Sequence, residues 1–261
     1  MKYYFWLLSN IYGRLFAREW LSGFHHVLLN LSLHGLGYDN GYWSKGTGEE
    51  YLIEEVLRKG NIRISIDIGA NVGMYSRNLL EKTNTIVYAV EPLRSSYEAL
   101  LQLEALYPNR ITTIHGAIGN MDGTATVYSK GLMAETASLS PEVLSHIEIK
   151  EEVNIEKLDT LVQRLQIPHI DFIKIDTEGF EKEVLTGMEN ILQDYKPKYI
   201  QFEFNLLHLY RKYTLLDLTD LLKGYEFYRL LPSGMLKINP RKFSSNIYMF
   251  SNVLAVRLDN K

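Results

Sequence analysis

The 261-residue chain is 46% hydrophobic, enough to bury one substantial α/β core, and its lack of cysteine excludes disulfides, thiolate metal sites and a cysteine nucleophile. A net charge of -3 at pH 7, with both signs spread along the sequence, leaves no electrostatic footprint for a polyanion and speaks against nucleic acid as a partner. The missing cysteine also fits a reducing cytoplasm.

The first 37 residues are rich in aromatics and leucine, interrupted by Arg14, Arg18, Glu19, His25 and His26. No uninterrupted apolar run reaches the ~18 residues that crossing a bilayer needs, and no small-residue cleavage site follows an apolar core, so neither a spanning helix nor a secretion signal is expected. The stretch reads as a helical extension over 1–45, ahead of a main domain over 46–261. Tyr3, Trp6, Leu7, Asn10, Arg14 and Arg18 mix aromatic and basic character that suits the inner surface of a membrane carrying a lipid-linked substrate. The commoner use of an apolar helix face is packing on its own domain or on a second copy in a homo-oligomer. Turn-rich connectors over 34–40 and 45–50 follow, and Thr47 with Glu50 reads as a capping box before the apolar-periodic segment 51–57.

The next stretch organises the rest. A β-branched run over 64–68 contains Asp67 and breaks into Gly69-Ala70-Asn71-Val72-Gly73, as a buried parallel strand does when it hands over to a helix. Gly69 permits a tight turn, and the missing side chain at Gly73 lets a ligand and the helix N-terminus approach the strand. After a helix over 74–82, a second strand ends at Glu91-Pro92, about two dozen residues beyond Asp67, where a carboxylate can accept ribose hydroxyls. Asn71 stands where a dinucleotide fold needs a glycine for its backbone to approach a pyrophosphate. S-adenosylmethionine has no pyrophosphate and fits better.

A helix over 94–106 ends before Pro108, a third strand covers 111–115, and 116–119 turns out of it. Segments 123–128 and 151–155 alternate as half-exposed strands and flank a Ser/Thr/Gly-rich loop, 129–140, long enough to form a flap. Asp159 is expected to cap the helix that opens at Leu158. A fourth strand over 170–175 ends at Asp176, and Thr177-Glu178-Gly179 turns into a helix reaching about 192. Ligands in doubly wound sheets sit beyond the carboxyl ends of the strands, so Asp176 and Glu178 face the crevice of Asp67 and Glu91. Glu181 and Glu183 read as first-turn acids complementing a helix dipole. A fifth strand over 198–204 carries Glu203 to the same edge, with Asn205 and His208 just beyond. A helix over 214–222, exposing Asp217 and Asp220, and strands over 226–231 and 252–258 complete the chain.

Asp67-Ile68-Gly69-Ala70-Asn71-Val72-Gly73, Val90-Glu91-Pro92, His115-Gly116-Ala117-Ile118-Gly119 and above all Lys174-Ile175-Asp176-Thr177-Glu178-Gly179-Phe180-Glu181, with Glu183-Val184-Leu185-Thr186-Gly187 after it, resemble the FkbM-type S-adenosylmethionine-dependent methyltransferases. The likeness runs over roughly positions 46 to 256; its first two motifs are common to many class I methyltransferases, and the fourth points to this family. It implies an α/β Rossmann-like class I methyltransferase fold, with a mostly parallel seven-stranded sheet and a C-terminal antiparallel hairpin. It implies S-adenosylmethionine bound by Asp67, Gly69, Ala70, Asn71, Gly73, Glu91, Pro92 and Asp176, with Ala117 and Ile118 flanking the adenine. It also implies O-methylation of a small-molecule or glycan acceptor, a sugar hydroxyl in a bacterial glycan or glycosylated metabolite.

A sugar hydroxyl is a poor nucleophile at neutral pH, so a base or a metal should help remove its proton. Asp176, Glu203 and His208 are the candidate bases, with His208 behind the carboxylates, because a lone histidine after a strand is more often packed than catalytic. Asp176, Glu203 and Asn205 are the alternative ligands for a hard divalent cation. A Rossmann-type oxidoreductase and a non-catalytic binding protein on this fold are the competing readings. Asn71 speaks against the first, and the intact Asp67, Gly69, Gly73 and Glu91 set against the second.

Overall fold

The computed structural model describes residues 2–39, 44–131, 137–143 and 146–258. Two helices, α1 (Lys2–Phe16) and α2 (Ser22–Gly35), precede the short turns α3 (Ser44–Thr47) and α4 (Glu49–Tyr51). The strands are β1 (Ile64–Ile68), β2 (Ile86–Glu91), β3 (Ile111–His115), β4 (Ala117–Gly119), β5 (Gly123–Ser129), β6 (Ala137–Ser138), β7 (Ile149–Lys157), β8 (Phe172–Ile175), β9 (Tyr199–Phe204), β10 (Tyr225–Leu231), β11 (Gly234–Ile238) and β12 (Ser251–Arg257). Between them run α5 (Met74–Lys82), α6 (Arg94–Leu106), α7 (Leu158–Arg164), α8 (Glu181–Thr186), α9 (Leu206–Tyr210) and α10 (Leu215–Thr219).

The main sheet has the order β11-β10-β12-β9-β8-β1-β2-β3, parallel from β9 to β3 and antiparallel at the C-terminal end, the layout of a class I methyltransferase. It has eight strands where seven were expected. Residues 234–238, expected to be part of a long connection, pair with β10 through a two-residue turn at Pro232-Ser233. A second sheet, β4-β7-β5-β6, stands beside it, so 117–119 is a strand and not a plain turn.

Period-2 alternation divides the main sheet into two faces. Ile64, Ile66, Ile68, Ile173, Ile175, Ile200, Phe202 and Phe204 bury against apolar residues of α7, α8 and α10. Val87, Ala89, Phe172 and Leu254 bury against α5, α6 and residues 52–57. On this second face the alternation also presents buried polar groups, Asp67, Lys174, Gln201 and Asn252.

Local contacts explain several departures from the expected elements. Glu50 takes Lys82 as its partner, while Thr47 Oγ1 donates to Glu49, so the Thr47–Glu50 capping box does not form. Asp159 accepts from the amides of Asn190 and Ile191 and thus caps the turn at Ile191–Tyr195, not its own helix. Asp217 closes a capping box with Thr214. Residues 177–180 stay outside α8 because Glu178 and Gly179 have φ values of 52° and 95°. α8 ends where Gly187 passes the carbonyl of Gly119.

The glycines at the first turn are fixed by close approach to protein. A Cβ on Gly69, at φ 79°, would stand 1.7 Å from the Asp176 carbonyl oxygen, so the turn after β1 crosses directly against the chain leaving β8. At Gly73, at φ 84°, the Cβ would meet the side-chain ends of Leu100 and Leu103 of α6 at 2.7 and 2.8 Å, so the left-handed backbone and the packing of α6 both favour glycine there. Every described side chain from Tyr4 to Trp20 is exposed, so α1 does not pack on the domain. Among the described residues no helix is long and apolar enough to cross a membrane.

Gly224 has a similar φ of 86° with nothing within 4 Å of its Cβ position. Gly69→Ala is therefore expected to destabilise by on the order of 3 kcal/mol or more, and Gly224→Ala by only the ~1–2 kcal/mol of a left-handed residue. Urea unfolding midpoints of the two variants check this; equal losses would mean that the Gly69 crossing can relax.

Candidate active site

The register of three neighbouring strands sets the site. Asp67 of β1 lies beside Lys174 of β8, and Lys174 beside Gln201 of β9. Lys174 Nζ donates to Asp176 Oδ2 at 2.6 Å and sits 4.9 Å from the centre of the Tyr75 ring. Burial opposes its charge, but Asp176, Asp67 and Glu49 outweigh that and hold the ammonium well above the usual lysine range. Gln201 links the row sideways, accepting from Tyr75 Oη at 2.7 Å and donating to Glu49 Oε1 at 3.1 Å and Asn252 Oδ1 at 2.9 Å. Burial raises the Asp67 carboxyl, which Lys174 and the Ser76 hydroxyl at 2.6 Å partly offset.

The turn beyond β1 is held by Glu91. Its Oε2 accepts from the Asn71 amide and its Oε1 from the Leu93 amide, both at 2.8 Å. Burial pushes this carboxyl up to about 7 against those two donors, with Asp67 and Asp176 adding to the rise. Asn71 has φ 50°, so it supplies a left-handed turn residue where a second glycine would otherwise stand. Ala70 is buried in the core, and half-buried Pro92 meets His115 Nε2 through its carbonyl at 3.1 Å. Ala117 and Ile118 have their side chains in the cores around β7 and β8, which leaves the backbone of β4 as the part able to face an adenine.

Asp176, Glu178 and Glu203 crowd the carboxyl edge. Glu178 is pushed up to about 8 by burial, then by Asp176 and Glu181; Glu203 is raised well above the usual range by burial, then by Asp176 and Glu178. Ser138 Oγ of β6 donates to the Glu178 carbonyl at 2.8 Å, so the far end of the expected flap reaches this edge; residues 132–136 of that flap lie outside the described residues.

His208 does not join this edge. It is fully buried, its Nε2 lies 3.0 Å from Glu181 Oε2, and it packs on the rings of Phe204 and Tyr213. Its pairing and burial match the packed role that a lone histidine after a strand most often has, and they keep it away from the candidate bases. Glu181 is likewise no solvated helix-dipole acid: its Oε1 accepts from the amides of Thr177 and Gly179, fixing the turn that carries Glu178. Glu183 pairs with Arg211. Asn205 caps α9 through the Leu207 amide at 3.0 Å and donates its Nδ2 to Glu203 Oε2 at 3.4 Å, while Asp176, engaged by Lys174, lies near enough to raise Glu203, so Asp176, Glu203 and Asn205 share one edge with protein partners already on each. Among the described residues no three His, Cys, Asp or Glu side chains are placed to hold a metal ion. Lys174, Glu49 and Gln201 were not on the sequence-derived list of site residues. A lone lysine inside an otherwise apolar strand, Phe172-Ile173-Lys174-Ile175, was the available signal.

The Methyltransferase FkbM domain matches residues 67–228. The chain belongs to that family. Hexuronic acid methyltransferase AglP from Haloferax volcanii is 25% identical over 129 residues, a match covering 49% of this chain and 50% of that protein, so the alignment spans about half of the curated relative. A putative caffeoyl-CoA O-methyltransferase from Staphylococcus aureus superposes with a TM-score of 0.47 at 12% identity, over 97% of both chains. Aeropyrum pernix fibrillarin, in complex with natively bound S-adenosyl-L-methionine, gives 0.39 at 13% identity over 75% of this chain and 66% of that one. Membership rests on the domain match and on the strand order.

The family's cofactor is S-adenosylmethionine, and the donor chemistry here fits it. Asp67 Oδ1 is buried with no hydrogen-bond donor from the protein, an acceptor suited to a cofactor amino group, and Glu91 is an acceptor suited to ribose hydroxyls.

Two outcomes follow from these electrostatics. Lys174→Met leaves Asp67, Asp176 and Glu49 without their shared cation and is expected to cost about 3–5 kcal/mol, read by urea denaturation; adding Asp176→Asn should restore part of it. Ribose hydroxyls donate to the ionised Glu91, so bound cofactor should lower that group's pKa from about 7. Affinity should therefore rise with pH from 6 to 8, with proton release on binding below neutrality. Calorimetry in two buffers measures both, and a flat profile matching that of Glu91→Gln would remove Glu91 from the ribose.

Proposed function

We propose that this chain is an S-adenosylmethionine-dependent O-methyltransferase acting on a hydroxyl of a neutral sugar or glycan. The observation that carries the reading is the carboxylate edge above the glycine turn, where Asp176, Glu178 and Glu203 crowd one another beside Lys174. The cofactor supplies a methyl group on a sulfonium, a good leaving centre, so the protein's share is positioning and proton removal. Asp176, held at 2.6 Å by Lys174, accepts the hydroxyl proton in a hydrogen bond and aims the oxygen. Glu203, raised by burial and its acidic neighbours, is a strong enough base once ionised to take that proton.

AglP is named for a hexuronic acid. In this chain Asp176, Glu178 and Glu203 already crowd one another enough to raise Glu178 and Glu203, so a further carboxylate is disfavoured at this edge whereas a neutral polyol can hydrogen-bond to it.

The test is transfer of labelled methyl to a panel of neutral and uronic-acid sugars, with cofactor affinity measured on the same samples. Asp176→Asn and Glu203→Gln should each lower turnover by about 100-fold or more while S-adenosylmethionine still binds. Turnover of the unaltered protein should climb as pH rises above the usual carboxylate range, because burial and Asp176 hold the Glu203 carboxyl well above it and only the ionised form takes the proton. Glu178→Gln removes a like charge beside Glu203 and should move that limb to lower pH. Near-normal turnover in both carboxylate variants would sink the base assignment, and stabilisation by NAD with none by S-adenosylmethionine would sink the reaction class.

A further inference from the structure

We propose that the two N-terminal helices, α1 and α2, and the loop at Arg241-Lys242-Phe243 dock this protein on the surface of an anionic lipid bilayer, with the carboxyl edge of the main sheet turned toward the lipid. More than half of the exposed large apolar side chains in the described chain fall between Tyr4 and Leu36. Leu8, Ile11 and Leu15 follow helical spacing on α1, as do Phe24, Val27, Leu28 and Leu31 on α2, so each helix carries a continuous apolar stripe that the domain does not cover. With 15 and 14 residues the helices are ~22 Å long at 1.5 Å per residue. That is short of the ~30 Å hydrocarbon core, so they suit lying along a bilayer face.

Charge selects the occupant. The first 37 residues hold Lys2, Arg14 and Arg18 against Glu19 alone, in a chain whose net charge is -3. A second copy would bring the same basic groups to the same interface, whereas an anionic headgroup layer neutralises them. The second, independent observation lies just beyond the end of α2. Phe243 is 87% exposed between basic Lys242 and the Ser244-Ser245 pair, whose carbonyls accept from Tyr38 Oη at 2.8 Å and Arg229 Nη2 at 3.4 Å. Arg229 also donates to the Leu36 carbonyl, so the end of α2 and the loop share one anchor. The anchor places both on the functional edge. Asp39 donates its amide to Phe250, next to Ser251, which pairs with Phe204 at the carboxyl end of β9, one residue beyond Glu203.

The experiment is flotation of the full chain with vesicles of phosphatidylglycerol and phosphatidylcholine, and with phosphatidylcholine alone, at low and high salt. Binding to the anionic vesicles that weakens with salt is expected. Leu8→Ser/Ile11→Ser/Leu15→Ser and Arg14→Glu/Arg18→Glu should each lower partitioning about tenfold or more, and Phe243→Ser severalfold, with circular dichroism unchanged because all these sites are exposed. Absence of binding to anionic vesicles, or equal binding by the variants, overturns the proposal. So does a dimer in light scattering that the triple serine variant splits while no vesicle binding is seen, which assigns the surface to a second copy.

Discussion

One ammonium group, that of Lys174, is shared by carboxylates that arrive from three separate parts of the chain: Glu49 of α4, Asp67 of β1 and Asp176 at the exit of β8. Its place follows from strand register alone, because Asp67, Lys174 and Gln201 are lateral neighbours on one face of the sheet. A buried cation with several partners is not cheap to fold, and hydrophobic replacements often pack as well or better. What the arrangement provides is orientation. The backbone leaving β8 lies against Gly69 while the Asp176 side chain is drawn to Lys174, so the cofactor turn and the acceptor edge are positioned by the same few atoms.

The acids around this cation fall into two kinds with different tasks. Glu91 and Glu181 are bonded to backbone amides and shape the turns after β1 and β8. Glu178 and Glu203 have few donors and one another for company, and their protons are correspondingly hard to remove. The first kind shapes the crevice, while the second lines it with carboxyl groups held above the usual range by burial and by one another.

The parallel half of the sheet was readable because its strands are short apolar runs, four of which, β1, β2, β8 and β9, have an acid at or next to the carboxyl end, a local signal that needs no knowledge of neighbours. β11 and β4 were not, since Gly234-Met235-Leu236-Lys237-Ile238 and Ala117-Ile118-Gly119 become strands only through partners that local patterning does not reveal. The same limit separates the site residues. Asp67, Glu91, Asp176 and Glu203 announce themselves by position at strand ends. His208 looks like a base until Glu181 is found 3.0 Å away, and Lys174 acquires meaning only when β1 and β9 flank it. The glycines were recognised, but the atoms that exclude a side chain at Gly69 and Gly73 come from Asp176 and α6, distant in sequence.

The clasp that ties the N-terminal extension to the domain joins an early residue to a late one. Arg229 stacks 3.6 Å from the centre of the fully buried Tyr38 ring, 191 positions upstream, and donates to its hydroxyl. A ribosome adding about 5–20 residues per second needs on the order of ten to forty seconds to cover that interval. For most of it the apolar helices are already made and have left the tunnel, while their anchor on β10 does not yet exist. The two helices thus meet their surroundings as a tethered segment during translation, and whatever surface they prefer is sampled before the main sheet has closed.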